Sequence, residues 1–74
     1  MNRLPDEFGS VVRQLRNELR WSQEVLAGRA DINRSYLGEI ERGAAVPSLV
    51  TIAKLARALN VRPSSLLERC ERDS

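Results

Sequence analysis

A short polar segment near the middle of the chain carries side chains that can hydrogen-bond to another molecule. Ser35, Glu39 and Arg42 follow one another at spacings of four and three residues, so a helix would present them on one face. Arg34 precedes this series and is long enough to reach the same side. An arginine donates forked hydrogen bonds to phosphate or guanine, and a carboxylate accepts one from cytosine. These residues therefore suit contacts to nucleic acid, provided that a helix holds them outward.

The stretch from Trp21 to Gly43 contains two short helical patterns with a tight connection between them. The first runs about from Ser22 to Ala30, and the second begins at Asn33 and ends at Gly43. Ser22 and Asn33 are good N-caps, and Gly43 is the expected left-handed stop. Two helices joined by a turn of about three residues form a helix-turn-helix unit. Such a unit usually places its second helix in the DNA major groove.

Three further helices are predicted around this unit. The first begins after Pro5, and its apolar residues recur at four-three-four spacing: Phe8, Val12, Leu15 and Leu19. The fourth begins at the N-cap Ser48 and presents on one face Leu49, Ile52, Ala53, Ala56 and Leu59. The fifth begins at Pro63. Five helices without a strand signal predict an all-α fold over 1–74 as a single domain, with the helix-turn-helix unit at about 22–42 and core and dimerisation helices at about 48–71.

Length and composition argue against several function classes. Seventy-four residues suffice for one domain with a modest core. Cys70 is the single cysteine and histidine is absent, so no internal disulfide or cysteine-based metal site is expected, and the commonest general base is missing. No apolar run approaches the ~18 residues of a membrane span, and the polar start does not resemble a secretory signal. These features predict a cytoplasmic, non-enzymatic protein without a metal, another cofactor or a membrane contact.

The charge balance does not by itself indicate a nucleic-acid binder. The net charge is only +2, although eleven of the twelve basic residues are arginine. Arginine suits forked contacts to phosphate and guanine, but a G·C-rich genome would explain the same preference. If DNA is the partner, the positive charge must be concentrated on one face of the molecule.

Glu41 is predicted to have a structural role. On a helical wheel it lies beside Leu37 and partly faces the domain, where a lone carboxylate would be costly. Arg16, at the edge of the apolar stripe of the first helix, is the candidate partner in an ion pair that would tie the two helices together. The alternative is that Glu41 meets only solvent near the end of its helix.

Gly38 is unusual within the polar helix, because glycine costs about 1 kcal/mol of helix propensity relative to alanine. A close neighbour, such as a DNA backbone or base edge, would explain the absence of a side chain. A surface position under weak selection would explain it too.

Several short motifs resemble one family in their order and spacing. They are Ser22-Gln23, Leu26-Ala27, Tyr36, Ile40-Glu41-Arg42-Gly43 and Pro47-Ser48. From about Phe8 to Leu67 the chain resembles the phage-repressor-like helix-turn-helix regulators, also called the xenobiotic-response-element family, which implies a five-helix lambda-repressor-like DNA-binding domain. Residues 33–37 with 40–42 look especially like the small controller proteins of restriction-modification operons. Asn33 replaces a frequent aspartate, and phage repressors and antitoxin-type autoregulators share most of the motif.

The resemblance implies two groups of DNA-contacting residues. The base-reading group is Asn33, Arg34, Ser35 and Glu39. The phosphate-binding group is Ser22, Gln23, Tyr36, Arg42 and Ser48. Arg34 is expected at guanine O6 and N7. Packing against the second helix remains open for Tyr36, and repulsion of wrong sequences remains open for Glu39.

A dimer is expected because one such unit covers few base pairs and palindromic half-sites match a two-fold axis. The proposed interface consists of Val46, Val50, Val61, Leu66 and Leu67, some of which would complete the monomer core instead. The sequence thus predicts a homodimeric transcriptional regulator that binds double-stranded, palindromic operator DNA, with no small-molecule effector implied. The alternative is an antitoxin-like or adaptor module that binds another protein, which the modest net charge favours.

Overall fold

The computed structural model describes residues 3–73 of the chain, and their side chains as far as residue 71. Its helices, in chain order, are α1 (Leu4–Glu18), α2 (Gln23–Ala30), α3 (Arg34–Glu41), α4 (Leu49–Ala58) and α5 (Pro63–Asp73). No strand occurs between residues 3 and 73, which confirms the all-α prediction. None of these helices is both long and apolar enough to cross a bilayer.

A single apolar core lies between α1 and the other helices. α1 packs against α3 and α5, while α2 packs against α3 and α4. Leu26, Leu37, Leu55 and Leu66 have no exposed surface. α3 therefore packs against two helices, α1 and α2.

The helix ends follow the predicted caps. The hydroxyl of Ser22 accepts a hydrogen bond from the Val25 N–H at 3.1 Å, and that of Ser48 accepts one from the Thr51 N–H at 3.1 Å. Gly43 adopts a φ of 75°, and its N–H donates to the Ile40 carbonyl at 3.0 Å. The left-handed stop predicted after α3 is thus confirmed, because only glycine takes this conformation without a steric cost.

Two of the predicted apolar stripes were partly wrong. Leu19 is 45% exposed because it lies beyond the last turn of α1, whereas Val11 is buried because α1 packs against two helices rather than one. On α4, Leu49 is 81% exposed and Ala53 is exposed, while Thr51 and Leu55 are buried. The apolar residues of α4 cover more of its circumference than the core can bury, so periodicity alone did not indicate which part faces inward.

Gly9 marks the closest approach between α1 and α3. A β-carbon at this position would overlap the carbonyl oxygen of Ile40 and lie 2.8 Å from that of Glu41. Both neighbours are backbone atoms and cannot turn aside as a side chain could. Glycine therefore sets the distance between these two helices.

We expect Gly9→Ala to lower the free energy of unfolding by about 1–3 kcal/mol, because α1 and α3 would have to separate. Urea unfolding followed by circular dichroism would measure this loss. Gly28→Ala is the matched control, since nothing lies within 4 Å of the added carbon and the helix gains roughly 0.5–1 kcal/mol. A Gly9→Ala protein as stable as the wild type would contradict the close-contact explanation.

Candidate nucleic-acid interface

The turn between α2 and α3 is built from local backbone hydrogen bonds. Asp31 ends α2 in the left-handed conformation with φ 56°, and the Ile32 N–H donates to the Ala27 carbonyl at 3.0 Å. Asn33 Oδ1 then accepts hydrogen bonds from the N–H groups of Ser35 at 2.7 Å and Tyr36 at 3.3 Å. This cap uses the oxygen of Asn33, so only its amide donors remain for a base.

The outer face of α3 is polar and open to solvent. Arg34, Ser35, Glu39 and Arg42 are all exposed, whereas Leu37 and Ile40 on the opposite face are completely buried. The side chains of Arg34 and Glu39 form no hydrogen bond within the part of the chain that the structure describes. Their hydrogen-bonding groups are therefore available to a ligand.

The carboxylate of Glu41 joins three elements. Arg16 on α1 donates from Nε to Oε2 at 2.8 Å and from Nη2 to Oε1 at 3.0 Å. Gln23 at the start of α2 donates from Nε2 to the same Oε1 at 3.0 Å. The Glu41 side chain is only 2% exposed, so this carboxylate is buried with its charge compensated. The ion pair expected between Arg16 and Glu41 is present. The sequence did not predict the hydrogen bond from Gln23 to the same carboxylate.

Arg16 also ties the chain between α1 and α2 to this cluster. Its Nη1 donates to the Trp21 carbonyl at 2.8 Å. The hydrogen bond with Glu41 raises the pKa of Arg16, against the opposing effect of burial. The Trp21 ring in turn packs against the Arg29 guanidinium, 4.6 Å from the ring centroid, a contact that no sequence pattern indicated.

The residues expected at phosphates differ in exposure and in their hydrogen bonds. Arg42 and Ser22 are exposed near the ends of α3 and α2. Tyr36 is half-buried and packs against the apolar core. The Ser48 hydroxyl donates to Thr51 Oγ1 at 3.0 Å as well as capping α4, although the residue is exposed. Gln23 keeps one amide proton and its oxygen beyond the bond to Glu41.

Gly38 lies beneath two of these side chains rather than on the open surface. It is buried, and a β-carbon there would meet Arg42 Nη1 at 3.2 Å and Gln23 Oε1 at 3.8 Å. The close neighbours of Gly38 are side chains of the protein itself, whereas the sequence had suggested a DNA backbone or base edge. Periodicity placed Gly38 beside the polar face but did not reveal this covering.

The residues expected at a dimer interface separate into exposed and buried sets. Val46 and Val50 are 76% and 64% exposed, and Leu67 is 36% exposed. Leu66 has no exposed surface and belongs to the monomer core, which is the alternative left open for some of these residues. Val61 is partly buried and packs against the core as well.

Leu49 is exposed although its place on the apolar stripe of α4 predicted the core, and it is therefore a further candidate for an interface. Val46, Ile52 and Leu67 line, together with residues of α1, a cavity of about 140 Å³. The exposed surface here is mainly apolar. The four exposed side chains Val46, Leu49, Val50 and Leu67 are called the apolar surface below.

Sequence and structure comparisons with known proteins find the same helix-turn-helix arrangement. The family model for the helix-turn-helix matches residues 12–66. The control protein C.BamHI of Bacillus amyloliquefaciens is 45% identical over 62 residues, which are 82% of this chain and 76% of C.BamHI. The restriction-modification controller protein C.AhdI from Aeromonas hydrophila has a crystal structure with TM-score 0.82 and 45% identity, covering 84% of this chain and 94% of that one.

A third match concerns the fold. The controller protein C.Esp1396I, solved as a tetramer in complex with its natural 35 base-pair operator, aligns with TM-score 0.87 at 22% identity, over 99% of this chain and 96% of that one. The chain therefore belongs to the helix-turn-helix family of transcriptional regulators, as the resemblance to phage-repressor-like regulators predicted.

We expect Arg16→Met to lower the free energy of unfolding by about 3–5 kcal/mol, because the buried Glu41 carboxylate would lose its cation. Chemical denaturation would measure this loss. Arg13→Met removes the same charge from an exposed position of α1 and should change stability by less than about 0.5 kcal/mol. Equal effects of the two substitutions would show that the Arg16–Glu41 pair contributes no specific stability.

Proposed function

We propose that this protein is a homodimeric regulator that binds a palindromic DNA operator by inserting α3 into the major groove. The observation that carries this proposal is the polar outer face of α3, which is open to solvent while its inner face is fixed to α1 and α2. A rigid helix with free hydrogen-bonding groups is what direct reading of base edges requires. The identity to C.BamHI and C.AhdI supports a role as a controller of a restriction-modification operon.

Arg34 is the proposed principal base-reading residue. It lies in the first turn of α3, is exposed and has no partner within the described chain, so its guanidinium is free to donate to guanine O6 and N7. Ser35 and the amide donors of Asn33 lie beside it at the same end of the helix. Glu39, one turn further on, would accept from cytosine N4.

The phosphate contacts are proposed at the ends of the helices. The exposed start of α2, capped by Ser22, presents backbone N–H groups together with the remaining amide proton of Gln23. Arg42 follows the last residue of α3 and would bind a phosphate beyond the base-reading residues. The protein would act by binding alone, in the cytoplasm with the DNA it controls, and not as an enzyme.

The apolar surface is the proposed dimer interface. Leu49 and Val46 are among the most exposed large apolar side chains, at 81% and 76%. Val46, Leu49 and Val50 lie within five residues of one another. A cluster of exposed apolar residues on a small protein commonly marks an association site. A two-fold axis there would pair one surface with its copy, as a palindromic operator requires.

We expect Arg34→Ala to weaken binding to a selected DNA duplex by about 1–3 kcal/mol and to relax preference at one base pair. The duplex would be obtained by selection from a random-sequence pool with the wild-type protein, and affinities would be measured by fluorescence anisotropy against a shuffled duplex. Arg62→Ala is the matched control, because it removes the same exposed charge from the connection between α4 and α5.

Equal weakening on the selected and shuffled duplexes by Arg34→Ala would contradict the base-reading role. Failure of the wild-type protein to prefer any sequence would contradict operator recognition as a whole. It would favour the alternative of a protein-interaction module with the same fold.

We expect Leu49→Glu to convert a dimer into a monomer while the helical circular dichroism spectrum is retained, because the side chain is exposed in the folded protomer. Size-exclusion chromatography with light scattering would measure the mass. Leu19→Glu introduces the same charge at the exposed end of α1 and should leave the dimer intact. A dimer that persists in Leu49→Glu would place the interface elsewhere.

A further inference from the structure

Gly38 occupies a position where a glycine needs an explanation. It lies inside α3, where it costs about 1 kcal/mol of helix propensity relative to alanine. It is buried although Ser35, Glu39 and Arg42 around it are exposed. The nearest atoms above it all belong to two side chains, those of Arg42 and Gln23.

These two side chains come from different helices and meet over the glycine. Gln23 is the first residue of α2, and its amide is oriented by the hydrogen bond from Nε2 to Glu41. Arg42 follows α3 and folds back by one turn to bring Nη1 within 3.2 Å of the missing β-carbon. Nε2 of Gln23 lies 4.0 Å from the same point. An amide and a guanidinium thus share the space that a side chain would fill.

We propose that Gly38 is a positioning residue for DNA binding. It leaves room for Arg42 to lie beside the Gln23 amide, so that both side chains contact the same phosphate. The inference rests on the proposed function, because it assigns these two groups to the DNA backbone. A guanidinium already held near its target loses less side-chain freedom on binding. The buried Glu41 fixes one member of the pair, and the glycine admits the other.

The size of a substituted side chain determines the expected effect. The β-carbon of alanine would displace the Arg42 guanidinium by a few tenths of an ångström, because the contact at 3.2 Å is tighter than usual. The side chain of leucine would fill the whole space and separate Arg42 from Gln23. Both residues favour the helix more than glycine does, so stability and DNA binding should change in opposite directions.

The test measures binding of the full chain to a mixed-sequence duplex of about 30 base pairs across a series of salt concentrations. We expect Gly38→Ala to raise the Tm and weaken binding about threefold. Gly38→Leu should weaken it about tenfold and reduce the slope of log K against log salt by about one unit, as for the loss of one phosphate contact. Gly28→Ala should raise the Tm without changing affinity, because nothing lies near its added carbon.

Arg42→Ala distinguishes positioning from direct contact between DNA and the glycine. In an Arg42→Ala background, Gly38→Leu should cause little further loss of affinity. If the full loss persists there, the glycine makes room for DNA itself and the positioning role is overturned. Wild-type affinity in Gly38→Leu would overturn it as well. If the unaltered protein binds no duplex at any salt concentration, the proposed function fails, and the inference fails with it.

Discussion

The buried carboxylate of Glu41 is the constraint on which the arrangement of the helices depends. It accepts hydrogen bonds from Arg16 of α1 and from Gln23 of α2 while belonging to α3 itself. A carboxylate with 2% exposure is tolerable only when these donors are in place. Any displacement of α3 relative to α1 would leave the charge unpaired. The ion pair therefore specifies one position of α3 rather than merely adding stability.

Close packing of the backbone acts together with this ion pair. Gly9 allows α1 to approach the carbonyl groups at the end of α3, and Glu41 itself contributes one of those carbonyls. The same turn of α3 is thus positioned by a backbone contact and by its side chain. The inner residues Leu37 and Ile40 are completely buried beside it. Because the inner face of α3 is fixed against the domain, its outer face remains exposed and can contact a ligand.

The distribution of apolar residues shows how a small domain divides them between its core and an interface. Leu55 and Leu66 fill the core, whereas Leu49 and Val50 remain on the surface of α4. A chain of 74 residues buries a limited area, so apolar surface left outside is available for association. Both sets consist of aliphatic residues, so residue type does not separate them. Whether such a residue is buried or exposed depends on which helices pack against α4 and α5.

Local chemistry was sufficient to predict the N-caps of α2, α3 and α4, the all-α class and the pairing of Arg16 with Glu41, whereas α1 begins at Leu4 and not after Pro5. The caps Ser22 and Asn33 act within a few residues of themselves, and Gly43 ends its helix through its own backbone freedom. The burial of Leu66, the exposure of Leu49 and the covering of Gly38 were decided only by the tertiary structure. The physical reason is that these features depend on which helix lies opposite, and helical periodicity defines a face without defining its neighbour.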